Sequence, residues 1–386
     1  MQHPSEEAPK ATSSQLRIPL CVPSLPDLGA ILPYFGRIWD TRGLTSGMYV
    51  AELEARVQAM LPGRHVVAVN SCTSGLMLAL RALDVRGDVL VPSFTFSATA
   101  HAIVWVGCRP VFVDCEPGTF NISVEDAARK VTPTTRAIVA VYVSGNPPDV
   151  EALGDLAHRH DLRLLLDAAH AMGAWVGDLP AGSFGDAEVF SLSPTKTITA
   201  CEGGIVSLRE SSLAEKVRIG RNYGNPGDYD ARFVGLNARM SELHAVVGLG
   251  SLEMLKSNVE ERIRLASAYR RRLMHVPGLR FQSVVGENIC SFKDLGVRIV
   301  AAEFGATRDD VRRALARAGV DTRTYFDPPV HRQRAYAHLD PPAAGLPGTE
   351  ALAREVLDLP IFPGLGEDDL EHVCATIEHA CPNHAS

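Results

Sequence analysis

The stretch RAIVAVYVSGNPPDVEALGDLAHRHDLRLLLDAA, at residues 136–169, decides the fold class. Two apolar runs of strand length, RAIVAVYV at 136–143 and LRLLLDAA at 162–169, flank a segment whose apolar residues recur at helical spacing. Two strands joined by a helix imply a parallel crossover, and parallel strands are covered by helices on both faces. The stretch therefore predicts an α/β fold with a mostly parallel sheet between helices.

The same alternation extends beyond this stretch in both directions. Each apolar run on its N-terminal side is followed by a helical stretch, and two more runs on its C-terminal side predict further buried strands. These runs are VVAV (66–69), DVLVPSF (88–94), RPVFVD (109–114), AEVFSLS (187–193) and GGIVSL (203–208).

The pattern changes toward the C-terminus. Apolar residues at steps of mostly three to five predict one long helix, or two in sequence, over residues 238–274. Beyond Pro277, the stretches RDDVRRALARAGV (308–320) and EDDLEHVCATI (367–377) predict helices of a smaller α+β domain. We therefore expect three segments: a mobile polar tail at 1–15, a large α/β domain at 16–250, and a linking helix with a small domain at 251–386.

Composition limits the class of protein. The chain has 386 residues, of which 46% are hydrophobic and 22% charged, as in a soluble globular protein. A net charge of −7 argues against nucleic-acid binding, and no apolar stretch is long enough to span a membrane. The start, MQHPSEEAPK, does not resemble a signal peptide, and the eight cysteines form no CxxC pair. These features predict a cytoplasmic protein with reduced thiols and no metal site.

Two positions follow predicted strands and could bind a ligand. The turn NSCTSG at 70–75 brings small hydroxyl residues to a predicted helix N-terminus, which is either an anion site or an ordinary N-cap. Asp167 ends the run LRLLLD, at the sheet edge where ligands bind in open α/β folds. The alternative for Asp167 is another helix cap.

Lys196 is the third candidate, in the stretch FSLSPTKTITACEGG at 190–204. Arginine outnumbers lysine by 32 to 6 in this chain, so a surface cation would more typically be arginine. An amine forms a Schiff base with an aldehyde, which a guanidinium cannot do. Taken alone, Lys196 also fits a solvated loop.

The three candidates together suit pyridoxal 5′-phosphate. The phosphate would dock at the helix N-terminus, Asp167 would keep the pyridine nitrogen protonated, and Lys196 would bind the aldehyde. An aromatic ring is also required to stack on the cofactor, and PSFTFSATA supplies Phe94 and Phe96.

From about Ile18 to the C-terminal helix, the chain resembles the DegT/DnrJ/EryC1/StrS group of sugar aminotransferases, which have the aspartate-aminotransferase (type I) fold. Eight ordered stretches carry the resemblance, whereas any one of them would be weak evidence. They are SCTSGLMLAL, VPSFTFSATA, PVFVDCEPGTFN, LDAAHAMGA, GDAEVFSLSPTK, EGG, RNYG and GLNARMSE.

The resemblance implies a role for each matching residue. Lys196 matches the cofactor lysine, and Asp167 matches the residue that faces the pyridine nitrogen. Phe96 matches the stacking aromatic, whereas Phe94 is expected in the core. His170 matches a residue near the phenolic oxygen. The phosphate ligands are expected to be Thr73, Ser74, Ser191 and Asn237. Asn237 is expected to come from the partner subunit, in a homodimer with shared active sites. Local turn bonding is the alternative for Ser191 and Asn237.

The resemblance also implies the substrates. L-Glutamate is the usual donor in this group, and the acceptor is a keto group on a nucleotide-linked sugar. The stretches at 23–45 and 145–153 look most like members that aminate C4 of a dTDP-4-keto-6-deoxyhexose, but amination at C3 or of a cyclitol ketone stays open. Arg323, Tyr325 and His331 resemble the loop that closes over the sugar, with simple packing of the small domain as the alternative.

Two other classes of function compete with this one. Related sugar dehydratases use pyridoxamine phosphate and carry histidine where Lys196 stands, so the lysine argues against a dehydratase. A DNA-binding regulator should have a basic helix-turn-helix, which the acidic net charge disfavours. The chain departs from the family's usual pattern at residues 142–145, YVSG, which bears on the substrate pocket.

Overall fold

The computed structural model describes residues 17–339 and 345–384, so the predicted tail at 1–15 lies outside the described residues. The helices are α1 Leu28–Thr41, α2 Met48–Ala59, α3 Cys72–Ala82, α4 Ser97–Trp105, α5 Val124–Arg129, α6 Val150–Arg159, α7 Ser211–Gly220, α8 Glu242–Leu252, α9 Leu255–Leu273, α10 Ala301–Phe304, α11 Arg308–Arg317, α12 Pro347–Glu355 and α13 Glu367–His379. The strands are β1 His65–Val69, β2 Asp88–Pro92, β3 Arg109–Val113, β4 Thr135–Val141, β5 Arg163–Asp167, β6 Trp175–Val176, β7 Leu179–Pro180, β8 Ala187–Ser191, β9 Gly204–Leu208, β10 Leu279–Phe281, β11 Leu295–Ile299 and β12 Val356–Leu359.

A seven-stranded sheet forms the centre of the large domain, in the order β1-β9-β8-β5-β4-β2-β3. Strands β8, β5, β4, β2 and β3 pair in parallel, and β9 runs antiparallel to both of its neighbours. Nearly every residue of these strands is buried, because helices cover both faces. The predicted α/β fold with a mostly parallel sheet is therefore confirmed.

The parallel direction brings several strand ends to one edge of the sheet. Asp167 is the last residue of β5, and Ser191 is the last residue of the neighbouring strand β8. Gly204, the first residue of antiparallel β9, pairs with Ser191 at the same edge. A Cβ on Gly204 would lie 2.8 Å from the backbone nitrogen of Cys72, so the N-terminus of α3 also reaches this edge. This edge carries the candidate site.

The C-terminal part forms a second, smaller unit. Strands β10, β11 and β12 make an antiparallel sheet, and its apolar core takes residues from α9, α11 and α13. Of the two alternatives for residues 238–274, the structure has two helices, α8 and α9, which begin at Glu242 and Leu255. Ile18 also packs in this smaller core and bridges Val320. The exact domain boundary stays a prediction.

Helix α1 was not predicted from the sequence. It contains Pro33, a residue that normally removes a helical hydrogen bond, and it follows two further prolines, Pro23 and Pro26. The Asp27 side chain caps the helix by accepting a hydrogen bond from the Ala30 backbone nitrogen at 2.9 Å. Capping and packing therefore outweigh the local cost of the proline.

Gly75 gives a test of the helix–sheet packing beneath the site. It lies in α3, where an added Cβ would come within 2.7 Å of a Val189 methyl carbon in β8 and 3.1 Å of one of Val206 in β9. We expect Gly75→Ala to lower the free energy of unfolding by about 1–3 kcal/mol through overpacking. Denaturant unfolding at fixed protein and cofactor concentrations measures the change.

Gly154 provides the matched control for this substitution. It also lies inside a helix, α6, but an added Cβ would meet no atom within 4 Å. Gly154→Ala should therefore raise the free energy of unfolding by up to about 1 kcal/mol, since alanine is the better helix former. Equal effects of the two substitutions would contradict the close contact between α3 and the sheet.

Candidate active site

Asp167 is a buried carboxylate at the edge of the sheet. Its residue is only 4% exposed, and burial raises the pKa of its carboxyl group. Oδ2 accepts a hydrogen bond from Thr99 Oγ1 at 2.7 Å, and Oδ1 accepts one from the Ala169 backbone nitrogen at 3.1 Å. Both donors are uncharged, so a cationic donor at this position would stabilise the ionised form further.

Lys196 lies in the loop that follows β8. Burial, and after it the positive charge of Lys293, lower the pKa of Lys196 to about 8, against the opposing effects of Asp294 and Asp167. Its amine is therefore much more often neutral near physiological pH than the amine of an ordinary lysine. Strands β5 and β8 are neighbours, and Thr197 Oγ1 donates to the Met172 carbonyl at 3.0 Å, which ties the Lys196 loop to the turn after Asp167. The two predicted residues therefore lie in one site.

His170 faces the same site. Its Nδ1 is buried, has no hydrogen-bond partner among the described residues, and lies 3.8 Å from Asp294 Oδ2. Burial and the charges of Lys196 and Lys293 keep the pKa of the imidazole well below its ordinary value, so the ring is neutral. A neutral imidazole with an unused nitrogen can bond to a ligand oxygen.

The predicted phosphate turn forms the first turn of α3. Ser71 is the N-cap: its Oγ accepts a hydrogen bond from the Ser74 backbone nitrogen at 3.2 Å. The Ser74 hydroxyl donates to Asn70 Oδ1 at 2.5 Å, and Thr73 lies between the two serines on the same turn. The N-cap alternative is thus confirmed, and phosphate binding at the same turn stays a prediction that the cap permits, because it leaves the helix N-terminus at the sheet edge.

Ser191 and Phe96 also reach this edge. Ser191 Oγ lies 3.2 Å from Ser193 Oγ and accepts a hydrogen bond from the Ser193 backbone nitrogen. Phe96 is 62% exposed at the start of α4, one turn before Thr99, whereas Phe94 is buried against Phe120. Phe94 therefore lies in the core, as predicted, and the stacking role of Phe96 stays a prediction.

Asn237 is exposed and lies ahead of α8, so the helix predicted to begin near 238 starts later, at Glu242. The reason is a cap: the Ser241 side chain accepts a hydrogen bond from the Leu243 backbone nitrogen. The carbonyl of Asn237 accepts a hydrogen bond from Asn70 Nδ2 at 3.0 Å, which ties this segment to the phosphate turn.

The predicted substrate loop is only partly brought to the site. Tyr325 donates its backbone N–H to Asp358 Oδ2 at 3.0 Å, and the Lys293 ammonium lies 5.7 Å from the centre of its ring. Asp294 bonds to the same ammonium and faces His170, so Tyr325 lies near the site. The half-exposed side chain of Arg323 forms an ion pair with Asp321 instead.

His331 is bound on both sides of its ring. Nδ1 lies 2.7 Å from Ser93 Oγ, just beyond β2, and Nε2 lies 2.9 Å from Glu350 Oε1. These contacts fix the loop against the end of β2 and use both nitrogens. They favour a positioning role for His331 over direct contact with substrate.

Sequence reasoning missed three residues of this site. Thr99 stands in the quoted stretch PSFTFSATA, but its bond to Asp167 crosses between two elements and leaves no local pattern. Lys293 and Asp294 come from the small domain, just before β11. The rarity of lysine in this chain was the one available signal for Lys293.

Among the described residues, Asp167 has only uncharged hydrogen-bond donors and His170 Nδ1 has no hydrogen-bond partner, and one molecule suits both of them and the Lys196 amine. Pyridoxal 5′-phosphate offers an aldehyde to the Lys196 amine, a pyridine nitrogen to Asp167 and a phenolic oxygen to His170. Its phosphate suits the N-terminus of α3. This fit and the α/β architecture define a class: pyridoxal-phosphate enzymes of the aspartate-aminotransferase (type I) fold.

Comparison with known proteins gives the family within this class. Residues 30–378 match the model of the DegT/DnrJ/EryC1/StrS aminotransferase family, and the chain belongs to this family. The resemblance inferred from the sequence is therefore confirmed. The protein is an aminotransferase, and its cofactor is pyridoxal 5′-phosphate.

Curated relatives match over nearly their whole length. The chain is 32% identical to the dTDP-4-amino-4,6-dideoxy-D-glucose transaminase of Shigella dysenteriae, covering 92% of this chain and 96% of the relative. It is 34% identical to the UDP-N-acetyl-3-dehydro-alpha-D-glucosamine 3-aminotransferase of Acidithiobacillus ferrooxidans, covering 90% of this chain and 92% of the relative.

Solved structures agree with this assignment. The structure of DesI in the presence of its TDP-sugar product is 37% identical in sequence to this chain. It superposes with a TM-score of 0.89 and covers 97% of this chain and 95% of DesI.

Thr99 gives a test of the carboxylate site. Thr99→Val removes the 2.7 Å bond to Asp167 Oδ2, and a lost hydrogen bond to a charged group costs about 1.5–3 kcal/mol. We expect pyridoxal phosphate to bind roughly ten- to a hundredfold more weakly. The pKa of Asp167 should also rise, so the pH below which cofactor affinity declines should move up. Titrating cofactor-depleted protein with pyridoxal phosphate across a pH series measures both effects.

Thr95→Val is the matched control. Thr95 is equally buried and its Oγ1 lies 2.9 Å from Thr99 Oγ1, but it makes no hydrogen bond with Asp167. Its substitution should change cofactor affinity much less. If both variants bind the cofactor equally well, the role given to the Thr99–Asp167 bond is wrong.

Proposed function

We propose that this enzyme moves an amino group from L-glutamate to the keto group of a nucleotide-linked sugar, in amino-sugar biosynthesis. The placement of a buried carboxylate, Asp167, in one site with an amine of lowered pKa, Lys196, carries the proposal. The names of the relatives support the sugar substrate, and C4 of a dTDP-4-keto-6-deoxyhexose is the acceptor we favour.

The chain's own residues divide the work in the proposed mechanism. When bound, pyridoxal phosphate supplies an electron-withdrawing ring that stabilises negative charge on the reacting carbon. Asp167 holds a proton on the ring nitrogen, and its fixed charge stabilises the cationic ring. The Lys196 amine, when free, takes the proton from the donor's α-carbon and passes it to C4′ of the cofactor, and a pKa of about 8 suits both the uptake and the release of that proton.

Other residues hold and orient the cofactor in this proposal. Thr73, Ser74 and Ser191 would bind the phosphate together with the first N–H groups of α3, and Phe96 would stack on the ring. His170 would bond to the phenolic oxygen through its unpaired Nδ1.

Substrate recognition is assigned to the loop at residues 323–331. Tyr325 offers a ring next to the Lys196 site, and the half-exposed guanidinium of Arg323 can exchange Asp321 for a phosphate, which it binds by a bidentate fork. His331 would hold this loop in place. These three roles stay predictions.

One alternative acceptor has an observation in its favour. The relative from Acidithiobacillus ferrooxidans is named for amination at C3, and it is as similar to this chain as the 4-transaminase relative. Lys196 argues against a dehydratase, and the net charge of −7 argues against a DNA-binding regulator.

We also propose a homodimer with shared sites, for which the apolar surface around α1 is the support. Leu28, Leu32 and Trp39 are each more than half exposed, and beside them lies a cleft of about 470 Å³. The lining residues of the cleft are Phe35, Gly36, Trp39, Cys201, Leu243, His244 and Val247. Exposed apolar patches of this kind mark interfaces, and a second copy of the chain is our proposed occupant.

The cytoplasm is the proposed location of the enzyme. All eight cysteines are free thiols, as expected in a reducing compartment. Within residues 17–339 and 345–384, no helix combines the length and the apolarity needed to cross a membrane.

Lys196 gives the central test. Borohydride treatment of the purified holoenzyme should attach the cofactor irreversibly to Lys196, as peptide mapping will show. Lys196→Arg should lower the rate of amino transfer from L-glutamate to a dTDP-4-keto-6-deoxysugar by at least about 10²–10⁴-fold, because a guanidinium neither binds the aldehyde nor moves the proton.

Lys216→Arg is the control, since this lysine lies on α7 and bonds to the carbonyl of Ala82. It should leave the rate unchanged. Attachment of the cofactor to another lysine, Lys293 above all, would overturn the site assignment. Reaction with a 3-keto sugar alone would move the proposed acceptor to C3.

Subunit mixing tests the shared site. A Lys196→Ala protomer and an Asn237→Ala protomer should each form dimers of low activity, and mixing them should restore activity. Each mixed dimer has one intact site, so statistical mixing predicts about a quarter of the wild-type rate. Mixing Lys196→Ala with the Lys196→Ala/Asn237→Ala double variant is the control and should restore nothing. Mixed dimers that form without any recovery would refute the sharing of Asn237.

A further inference from the structure

The small domain brings a second buried lysine, Lys293, to the site: Asp294 accepts from its ammonium with one carboxylate oxygen and faces His170 with the other. We propose that Lys293 is a positioning residue, whose ammonium, held by Asp294, keeps the Lys196 amine unprotonated whenever that amine is free, and so makes it a base. The inference rests on the proposed assignment of Lys196 as the cofactor lysine.

Lys293 is held from every side. It is 6% exposed, and its Nζ donates to Asp294 Oδ1 at 2.6 Å while lying over the Tyr325 ring. Its backbone nitrogen donates to the Ser144 carbonyl at 3.0 Å, and its carbonyl accepts from Arg262 Nη1 at 3.0 Å. With both ends fixed, the ammonium cannot turn away into solvent.

The loop that carries Lys293 is docked tightly on the large domain. Ser291 Oγ donates to the His170 carbonyl at 2.6 Å. A Cβ on Gly145, which has a φ of +88°, would lie 2.0 Å from Ser291 Oγ, so only glycine permits this approach. Thr197, next to Lys196, donates its hydroxyl to the Met172 carbonyl at 3.0 Å, so the segments of both lysines are fixed against the turn that carries His170.

The titratable groups around Lys196 come from several elements. Asp167 faces it from β5, Cys72 from α3, Cys21 from the N-terminal segment, His170 from the turn after β5, and Lys293 and Asp294 from the small domain. Burial raises the pKa of both thiols and lowers that of the imidazole, so these three groups are neutral. Among the described residues, Lys293 is the cation that affects the pKa of Lys196.

The two lysines behave in opposite ways. Burial alone would lower the pKa of Lys293, but Asp294 outweighs burial and holds that pKa above its ordinary value. Lys293 therefore stays charged, and like-charge repulsion then disfavours a proton on Lys196. Environments that separate two pKa values in this way assign one group as the fixed charge and the other as the base.

Substitutions at Lys293 test the inference in the holoenzyme. The pH midpoint of the cofactor's visible absorption reports the proton on the nitrogen that joins cofactor and Lys196. Lys293→Met and Lys293→Gln remove the charge and should raise this midpoint by about one pH unit or more. Glutamine retains a donor for Asp294, so it remains informative if the methionine variant folds poorly. Lys293→Arg keeps the charge and should stay near the wild-type midpoint.

Lys130→Met is the matched control. Lys130 is also partly buried and pairs with an aspartate, Asp126, at 2.6 Å, but it lies away from the site at the end of α5. Its removal should leave the midpoint unchanged. A lysine that only stabilised the fold would give the same null result at position 293.

A second measurement uses enzyme reconstituted with pyridoxamine 5′-phosphate, in which Lys196 is free. Reductive methylation over a pH series, followed by peptide mapping, should give a midpoint near 8 for Lys196 in the wild type and a higher one in both neutral variants. Unchanged midpoints in both measurements would overturn the role of Lys293. Failure of borohydride to attach the cofactor to Lys196 would instead overturn the proposed function itself.

Discussion

The structure depends above all on one buried charge, the carboxylate of Asp167. It lies at the carboxyl end of β5 with 4% exposure, where removal from water is costly unless the charge is hydrogen-bonded and paired. Thr99 and the Ala169 backbone supply neutral hydrogen bonds, and in the proposed function the cofactor's ring nitrogen would supply the positive charge. That requirement would place the ring at the sheet edge. Lys196, which follows the adjacent strand β8, would then bind the cofactor aldehyde.

The small domain completes the charge balance of the site. Lys293 and Asp294 enter the large domain's cleft on a loop that bonds to Ser144 and to the His170 carbonyl. Asp294 faces Lys293 with one carboxylate oxygen and His170 with the other. The protonation of Lys196 therefore depends on how the two domains are docked, and a change in docking would alter the chemistry without moving any residue of the large domain.

Strands and strand ends could be predicted from the sequence, because local patterns determine them. Strands such as β4 and β5 were found because buried parallel strands are continuous apolar runs, and Asp167 stood out as a charge at the end of one of them. Helix α1 was missed because Pro33 disfavours a helix locally while the Asp27 cap and packing support it. The role of Lys293 could not be predicted, because it depends on a contact between the two domains. The family motifs indicate Lys196 and Asp167, but they do not predict the groups that set the pKa values of these two residues.

The exposed residues at the edge of the site support the proposal that a second protomer completes it. Phe96 is 62% exposed although it begins the helix that carries Thr99, and Asn237 is exposed although its segment is bonded to the phosphate turn. In the proposed dimer, the cofactor would cover Phe96, and Asn237 would reach the phosphate of the neighbouring site. A ligand that binds only the assembled form stabilises that form by mass action, so cofactor binding and subunit association should strengthen each other. The charge on Asp167, which requires the cofactor, would then also favour the dimer.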